Sequence, residues 1–182
     1  MVRKLSTKEI LQENLSQTPP KGMEHVKVVL HNIRSMHNVG SVFRSGDAFG
    51  ISEIILSGYS PTPPRDEITK TAIGAEEFVD WRFVEDILAK LLRLKSDGYT
   101  IIGLEQTDSS VSLLDVQFQT DQKICIVMGN EVSGIDADLL PLIDTFVVIP
   151  QFGQKHSLNV SVATGVTFYA ILDKYYKAGS ES

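Results

Sequence analysis

Three polar segments of the sequence hold the side chains whose types and spacing could do chemistry. In the last of them, a loop over residues 151–156 runs into the cluster Ser-Leu-Asn-Val-Ser at residues 157–161, where a helix should begin. Serine and asparagine are common N-cap residues, and one helix needs only one cap. The additional small hydrogen-bonding side chains therefore indicate a helix start that also receives a ligand, with Ser157 and Asn159 as candidate contacts.

The second segment, residues 129–134, follows the almost wholly apolar run at residues 124–128. Gly129 at the end of that run would let a ligand reach main-chain groups without a Cβ in the way. Glu131 could stabilise a cation, or it could cap a short helix over residues 136–140. The Gly-x-x-x-x-Gly spacing is common in turns and lacks the Lys-Ser/Thr pair that a phosphate-binding loop needs.

The third segment follows an apolar run at residues 26–30. Asn38 is placed to cap a helix over residues 38–49, Gly40 permits a close backbone approach, and Arg44 falls within the same helix. A helical arginine seen alone is most often a surface residue. The interest of this segment comes from its position directly after a strand.

The elements that must position these segments alternate between helix and strand. A Ser-Thr-Lys-Glu capping box at residues 6–9 predicts a short helix to about residue 17. Apolar runs predict strands over residues 26–30, 54–56, 100–104, 123–128 and 145–149. Helical spacing of apolar residues, or a residue that stops a helix, predicts helices over residues 38–49, about 84–94 and about 158–176. Short strands without polar alternation, separated by helices, predict an α/β fold with a mostly parallel sheet covered by helices on both faces. Ligands bind such sheets beyond the carboxyl ends of the strands, where all three segments lie.

Length and composition are those of one soluble domain. The chain has 182 residues, of which 42% are hydrophobic and 22% charged, and we expect a single domain over residues 1–182 with a helical extension at residues 1–22. No apolar run approaches the roughly 20 residues of a membrane span, and the polar N-terminus does not look like a signal peptide. The single cysteine, Cys125, is expected to be a buried reduced thiol, and no metal-ligand cluster is visible. A cytoplasmic protein fits best.

The net charge of −6 at first argues against a polyanionic partner. However, residues 1–46 hold seven Lys and Arg against three Glu, whereas the remainder of the chain is strongly acidic. A nucleic-acid surface would therefore be local and built largely from the N-terminal quarter. On charge alone, an uneven distribution of solvent-exposed charges with no binding role explains the pattern equally well.

Taken in order, the segments resemble the SpoU/TrmH branch of the SPOUT RNA methyltransferases. The matching pieces are Asn-Val-Gly-Ser-Val-Phe-Arg at residues 38–44, Met-Gly-Asn-Glu-Val-Ser-Gly at 128–134, and Ile-Pro-Gln-Phe-Gly at 149–153 continued by Ser-Leu-Asn-Val-Ser-Val-Ala at 157–163. Thr-Ala-Ile-Gly-Ala-Glu-Glu at residues 71–77 is also similar to a piece common in this branch. The resemblance extends over about residues 26–172.

This resemblance implies an activity and a fold that periodicity alone does not reveal. Members of the branch transfer a methyl group from S-adenosylmethionine to a ribose 2′-hydroxyl of tRNA or rRNA, without a metal. Their C-terminal segment forms a deep trefoil knot, a rare exception to the rule that chains are not knotted. They act as homodimers, with the cofactor bent in the knot beside the dimer interface.

The resemblance also implies roles for individual residues. Gly129, Ile149 and Leu158 would contact the cofactor, largely through the main chain. The reaction pocket would hold the side chains that the motifs place there, namely Asn38, Arg44, Glu131, Ser157 and Asn159. An arginine, with a pKa above about 12, is an unusual base, so we expect Arg44 to grip the adjacent phosphate and stabilise the developing alkoxide.

Two other functions remain open at this point. A dinucleotide-binding oxidoreductase is compatible with the α/β pattern, but no Gly-x-Gly-x-x-Gly follows the first strand. A non-catalytic RNA-binding relative would be indicated by loss of the motif arginine or asparagine, and both are present as Arg44 and Asn38. The acidic composition and the lack of a separate RNA-binding domain favour a small exposed target such as a tRNA loop. An S-adenosylmethionine-dependent RNA 2′-O-ribose methyltransferase is the expected function.

Overall fold

Helices and strands alternate along the chain in a computed structural model, which describes residues 2–119 and 122–180. The strands are β1 (Val26–His31), β2 (Glu53–Ser57), β3 (Trp81–Val84), β4 (Tyr99–Leu104), β5 (Val111–Ser112), β6 (Lys123–Met128) and β7 (Thr145–Val148). The α-helices are α1 (Thr7–Ser16), α2 (Met36–Phe49), α3 (Asp66–Ala72), α4 (Ile87–Ser96) and α5 (Val160–Ser180). Short 3-10 turns lie at Met23–His25, Ala75–Glu77 and Leu140–Leu142.

The strands form one parallel sheet in the order β3-β2-β1-β6-β4-β7-β5. Strand β6 lies between β1 and β4, both of which precede it in the chain, and β7 lies between β4 and β5. This order places the carboxyl ends of β6, β4 and β7 side by side at one edge of the sheet. It also accommodates the trefoil knot that the motifs imply, although the knot itself stays a prediction.

Helices cover both faces of the sheet, as predicted. Successive side chains of a strand point to opposite faces, and in β6 Ile126 packs beneath α2, α3 and α5 whereas Cys125 and Val127 pack beneath α4. Burial of Cys125 raises the pKa of its thiol to about 12. The prediction of a buried, unreactive cysteine is therefore confirmed.

Several helix boundaries differ from the predicted ones, because a nearby capping group sets the residue at which the helix begins. Helix α2 begins at Met36 rather than residue 38, and α5 begins at Val160 rather than residue 158. Val84 belongs to β3, and α4 begins after Asp86, whose side chain accepts a hydrogen bond from the Ala89 N–H at 2.9 Å.

Other parts of the sequence prediction are incomplete or wrong. The strands β3 and β5 and the helix α3 were not predicted, and the edge strands are too short or too exposed to leave an apolar run. The helix expected over residues 136–140 is wrong, because these residues form turns that lead into the 3-10 turn at Leu140–Leu142.

The N-terminal extension forms the predicted helix. The Ser6 Oγ accepts a hydrogen bond from the Glu9 N–H at 3.3 Å, and Glu9 accepts one from the Ser6 N–H at 2.8 Å, which completes the capping box. No side chain of α1 is buried, so the helix lies on the surface. Among the described residues no helix is long and apolar enough to cross a membrane.

Candidate active site

A cavity opens at the carboxyl ends of β6, β4 and β7. Its volume is about 240 Å³, below the roughly 300 Å³ at which the usual range of ligand pockets begins. The three residues expected to contact a cofactor all line it: Gly129 after β6, Ile149 after β7 and Leu158 before α5. The sheet order explains this meeting, because these strands are neighbours and run in the same direction.

The loop after β6 is closed by an asparagine that the sequence analysis did not single out. Asn130 exchanges backbone hydrogen bonds with Gly134 at 2.9 and 3.0 Å. Its side-chain oxygen accepts hydrogen bonds from the N–H groups of Val132 and Ser133 at 2.9 and 3.0 Å, and its side-chain nitrogen donates to the carbonyl of Asn32 at 2.9 Å. An asparagine that bonds to backbone two residues onward is a recognisable turn signal, and it could have been used here.

The conformation of this loop itself requires its two glycines, Gly129 and Gly134. A Cβ on Gly129 would lie 2.3 Å from the carbonyl oxygen of Gly134 and 2.4 Å from the nitrogen of Ile135. Gly134 has a φ of +73°, and a Cβ there would lie 2.1 Å from the Oε2 of Glu105. Glycine at residue 129 is therefore required by the close approach of two backbone segments, in addition to any ligand.

Glu105, which follows β4, is a cavity residue that the sequence analysis missed. Its Oε2 accepts a hydrogen bond from the Ile135 N–H at 3.0 Å, and its Oε1 accepts one from the Gln106 N–H at 2.9 Å. These contacts hold a carboxylate in the cavity wall. No motif marks Glu105 in the sequence, so only its position after a strand could have identified it.

Three residues predicted for the reaction pocket form a hydrogen-bonded chain beside the cavity. The Nδ2 of Asn159 donates to the Oδ1 of Asn38 at 3.1 Å, and the Nδ2 of Asn38 donates to the Oε1 of Glu131 at 3.1 Å. The Oδ1 of Asn159 also accepts hydrogen bonds from the N–H groups of Ser161 and Val162 at 2.9 and 3.4 Å, so Asn159 caps α5. The chain joins the starts of α2 and α5 to the loop after β6.

The expectation that Asn38 caps α2 is wrong. The N-cap is Ser35, whose Oγ accepts a hydrogen bond from the Asn38 N–H at 3.2 Å. Because the helix begins at Met36, Asn38 lies in its first turn, and its amide is available to link Asn159 with Glu131. The predicted close approach at Gly40 is confirmed, since a Cβ there would lie 2.3 Å from the carbonyl oxygen of Ile68.

Glu131 stabilises the start of α2, and not a helix over residues 136–140. Its Oε2 accepts a hydrogen bond from the Arg34 N–H at 3.1 Å, and its Oε1 accepts one from the Ser35 N–H at 3.3 Å. Partial burial raises the pKa of the Glu131 carboxyl. These two hydrogen bonds and the one from Asn38 lower the pKa by a larger amount, so that it lies below its ordinary value. The carboxylate also complements the positive end of the α2 dipole.

Arg44 and Ser157 lie apart from this hydrogen-bonded chain. Arg44 is exposed on α2 and, within the described residues, forms no hydrogen bond or ion pair. Six residues along a helix correspond to about 9 Å of rise and about 240° of rotation, so Arg44 and Asn38 leave α2 in different directions. Ser157 lines the cavity and is exposed.

The cavity lining fits the cofactor that the motifs imply. Leu104, Met128 and Ala163 supply an apolar wall, and Glu105 and Glu131 add carboxylates. S-adenosylmethionine joins an adenosine, which has a flat base, to a cationic sulfonium. The base matches the apolar wall of the cavity, and the sulfonium matches its carboxylates. The small volume requires such a ligand to bind in a compact shape or to leave part of itself outside. Within residues 2–119 and 122–180, no cluster of His, Cys, Asp or Glu could hold a metal ion.

Comparison with known proteins identifies the family. Residues 25–169 match the sequence model of the SpoU rRNA Methylase family, a span that contains all three polar segments. The chain belongs to this family. The resemblance drawn from the motifs is therefore confirmed, and an oxidoreductase is no longer a competing interpretation of this SpoU family protein.

Curated relatives of this SpoU family chain include tRNA (guanosine(18)-2′-O)-methyltransferases from several bacteria. The enzyme of Aquifex aeolicus (strain VF5) is 28% identical over 158 residues, which cover 86% of this chain and 73% of the relative. That of Escherichia coli (strain K12) is 28% identical over 152 residues, which cover 84% of this chain and 65% of the relative. The chain thus spans about two thirds of the length of the curated relatives it matches.

Solved structures of the family share the fold. The A. aeolicus TrmH/SpoU tRNA modifying enzyme superimposes with a TM-score of 0.79 at 26% identity, covering 94% of this chain and 83% of that one. An AdoMet-bound rRNA methyltransferase from Sinorhizobium meliloti gives a TM-score of 0.75 at 25% identity, covering 84% of this chain and 56% of that one. The predicted SPOUT-like parallel α/β architecture is confirmed.

The contacts of Glu131 predict a pH-dependent contribution to stability. We expect Glu131→Gln to lower the free energy of unfolding by about 1 kcal/mol at pH 7, because it removes an anionic acceptor from the start of α2. The folded-state pKa of Glu131 is lowered, so this contribution is full above the unfolded-state pKa of about 4.3 and is lost as the pH falls.

Urea unfolding at pH 7 and pH 4 measures this contribution. The difference in the free energy of unfolding between wild type and Glu131→Gln should be smaller at pH 4 than at pH 7. The control Glu77→Gln, at an exposed position, should not change the free energy of unfolding at either pH. A difference that is absent at pH 7, or equally large at both values, would contradict the assigned role.

Proposed function

We propose that this SpoU family protein transfers a methyl group from S-adenosylmethionine to a ribose 2′-hydroxyl of tRNA or rRNA. The observation that carries the proposal is the cavity at the ends of β6, β4 and β7, with the Asn159–Asn38–Glu131 chain beside it. One side of this arrangement suits the methyl donor, and the other offers polar groups to a nucleotide. The relatives from A. aeolicus and E. coli are tRNA 2′-O-methyltransferases, which supports the same conclusion.

The cofactor site is proposed to be the 240 Å³ cavity. Gly129, Ile149 and Leu158 would contact the cofactor through the main chain at the ends of β6 and β7 and before α5. The apolar wall would hold the adenosine, and Glu105 and Glu131 would attract the cationic end. When bound, S-adenosylmethionine supplies a methyl group already activated by its sulfonium, so the protein itself needs mainly to position the acceptor.

The acceptor hydroxyl must lose its proton as it attacks, and Arg44 is proposed to assist. A guanidinium stays protonated at neutral pH, so its useful roles are to bind the adjacent phosphate and to stabilise negative charge on the reacting oxygen. The Arg44 side chain is exposed and without a protein partner in the described residues, which leaves its donors available to RNA. Ser157 and Asn159 would position the ribose.

Glu131 is proposed to position the site rather than to accept the proton. Its lowered pKa keeps it ionised, but both of its oxygens already accept hydrogen bonds, from Arg34, Ser35 and Asn38. A proton acceptor with a depressed pKa is a weak base at neutral pH. Glu131 therefore fixes the amide of Asn38, which in turn fixes Asn159.

The protein is also proposed to act as a homodimer through α5. This helix buries Phe168 and Ile171 within the subunit but exposes four large apolar side chains, namely Val162 (52%), Val166 (40%), Tyr169 (60%) and Tyr176 (55%). A helix with apolar residues on both sides of its axis usually has two packing partners. Such a dimer would place the start of α5, and hence the cofactor cavity, close to the interface. With RNA as substrate, we expect the protein to work in the cytoplasm.

The cofactor site can be tested by calorimetry with S-adenosylhomocysteine, the product of methyl transfer. Binding should be observed and should be unchanged by EDTA, because the proposed contacts involve no metal. Ala163→Phe should abolish binding, since Ala163 lines the cavity and a phenyl ring would fill it. The matched control is Ala137→Phe at an exposed position. A folded wild-type protein that binds neither this product nor S-adenosylmethionine would disprove the proposed function.

The role of Arg44 can be separated from simple charge attraction. Arg44→Ala should reduce single-turnover methyl transfer by roughly 100- to 1,000-fold, the range for loss of one preorganised electrostatic contact. Arg44→Lys should be almost as slow, because a point charge cannot replace the planar fork. Cofactor affinity should hardly change in either variant. The assay uses saturating S-adenosylmethionine and bulk tRNA and rRNA from cells that lack the gene, and a near-wild-type rate for either variant contradicts this role.

The dimer proposal predicts twice the monomer mass in light scattering at micromolar concentration. Tyr169→Asp, which puts a charge on the exposed side of α5, should shift the protein toward monomer. A comparable charge at Leu92→Asp, on the exposed side of α4, should leave the mass unchanged. A wild-type protein with the mass of one chain of 20.1 kDa would contradict the proposal.

A further inference from the structure

A second cavity lies beyond the carboxyl ends of β1 and β2 and along β3, outside the cofactor cavity. Its volume is about 640 Å³. It is lined by residues 58–62 after β2 and by side chains from the neighbouring segments, namely Arg34, Met36, Arg65, Trp81 and Phe83. None of the motifs that identify the family accounts for this combination of arginines and aromatic rings.

The charge of the second cavity is opposite to that of the protein. Arg34 and Arg65 are exposed, and within the described residues neither side chain forms a hydrogen bond or an ion pair. The lining contains no aspartate or glutamate, although the whole chain carries a net charge of −6. Two guanidinium groups that have no partner among the described residues, in an acidic protein, point to an anionic ligand.

The aromatic residues of the cavity expose ring surface, and contacts hold the rings of Tyr59 and Trp81 in place. Tyr59 is 59% exposed, yet its hydroxyl accepts a hydrogen bond from the Asn130 side chain at 2.7 Å, and its N–H donates to the Asn32 side chain at 3.1 Å. Phe83 is 43% exposed on the edge strand β3. Trp81, on the same face of β3, packs edge-to-face on Phe43 of the core at 6.4 Å. An exposed ring whose orientation is fixed, such as Tyr59, is suited to stacking with little loss of conformational entropy.

Direct contacts join the second cavity to the candidate active site. The backbone N–H of Arg34 donates to Glu131, which belongs to the Asn159–Asn38–Glu131 chain. Asn130, the partner of the Tyr59 hydroxyl, closes the loop that forms one wall of the cofactor cavity. A nucleotide whose ribose reached the active site could therefore have its neighbour in the second cavity.

We propose that the second cavity binds an unpaired nucleotide of the RNA, adjacent in sequence to the one that is methylated. Its base stacks against Tyr59 and Phe83, and its phosphate is held by Arg34 and Arg65. This inference rests on the proposed function, since it takes RNA as the substrate. It restricts the substrate class to single-stranded loops or bulges, because bases stacked within a duplex cannot present their faces to protein rings.

Fluorescence of 2-aminopurine tests the stacking directly. The full-length protein is titrated, with S-adenosylhomocysteine present, against pentaribonucleotides that carry one 2-aminopurine at each position in turn, and against a duplex of the same sequence. Stacking on a protein ring should quench the fluorescence of the single strand at one or two positions, and the duplex should bind more weakly. Equal binding of single strand and duplex, or binding without quenching, would overturn the proposal.

Variants at Phe83 supply the specific control. Phe83→Leu, which keeps apolar bulk but has no ring, should lose the quenching and weaken binding by roughly fivefold or more, whereas Phe83→Tyr should retain both. Phe78→Leu, at an aromatic residue that is 79% exposed and does not line the cavity, should behave as wild type. Wild-type quenching by Phe83→Leu would assign the ring contact elsewhere and contradict the proposal.

The arginines are tested through salt dependence. Arg34→Ala should make the slope of log affinity against log salt shallower by about one, as expected for loss of one phosphate contact, while Arg93→Ala, on α4, should not. An unchanged slope would remove Arg34 from the proposal.

Cofactor binding distinguishes a failure of this inference from a failure of the proposed function. Calorimetry with S-adenosylhomocysteine should give the same affinity for Phe83→Leu and wild type. Methyl transfer without quenching would refute only the stacking site. Quenching without cofactor binding or methyl transfer would instead leave an RNA-binding protein and refute the enzyme.

Discussion

The candidate active site depends on one carboxylate that joins parts of the chain far apart in sequence. Glu131, in the loop after β6, accepts hydrogen bonds from Arg34, Ser35 and Asn38 at the start of α2. The first turn of a helix has N–H groups without intrahelical partners, and Glu131 accepts from two backbone N–H groups at the start of α2. These contacts of Glu131 fix the direction of the Asn38 amide and, through it, Asn159 at the start of α5.

The sheet supplies the second constraint, since it decides which loops can meet. Strand β4 lies between β6 and β7, so the loops that follow these three strands form one continuous rim. The loops after β1, β2 and β3 form the adjoining part of the same rim. Asn130 lies where the two parts join, with bonds to Asn32 on one side and to Gly134 on the other. The 240 Å³ cavity and the arginine–aromatic cavity are thus arranged along a single edge.

Much of this arrangement could be predicted from the sequence, because its signals are local. Apolar runs identified the central strands, and the resemblance of the motifs to the SpoU/TrmH branch implied Gly129, Ile149 and Leu158, which line one cavity. What could not be predicted depends on contacts between distant segments. The partner of Glu131 is a helix start about 95 residues earlier, and no property of residues 129–134 reveals it. Glu105 was missed for the same reason, since its role is defined by the Ile135 N–H.

The position of β6 in the sheet has a consequence for how the chain acquires its structure. Strands β1, β2 and β3 are consecutive in the chain and pair with one another, whereas both neighbours of β4 in the sheet, β6 and β7, follow it in the chain. A nascent chain that ends before residue 123 therefore carries the three-stranded sheet β3-β2-β1, whose apolar edge at β1 is unpaired, and a strand β4 that lacks both of its neighbours. Such an edge invites association with other chains. The six-residue strand β6 joins β1 to β4 and brings Gly129 and Glu131 to the candidate site, whereas the other side of β4 is paired by β7. Completion of the sheet and assembly of the candidate active site thus both depend on the last third of the chain, which supplies β6 and β7 and then Ile149, Leu158 and Asn159.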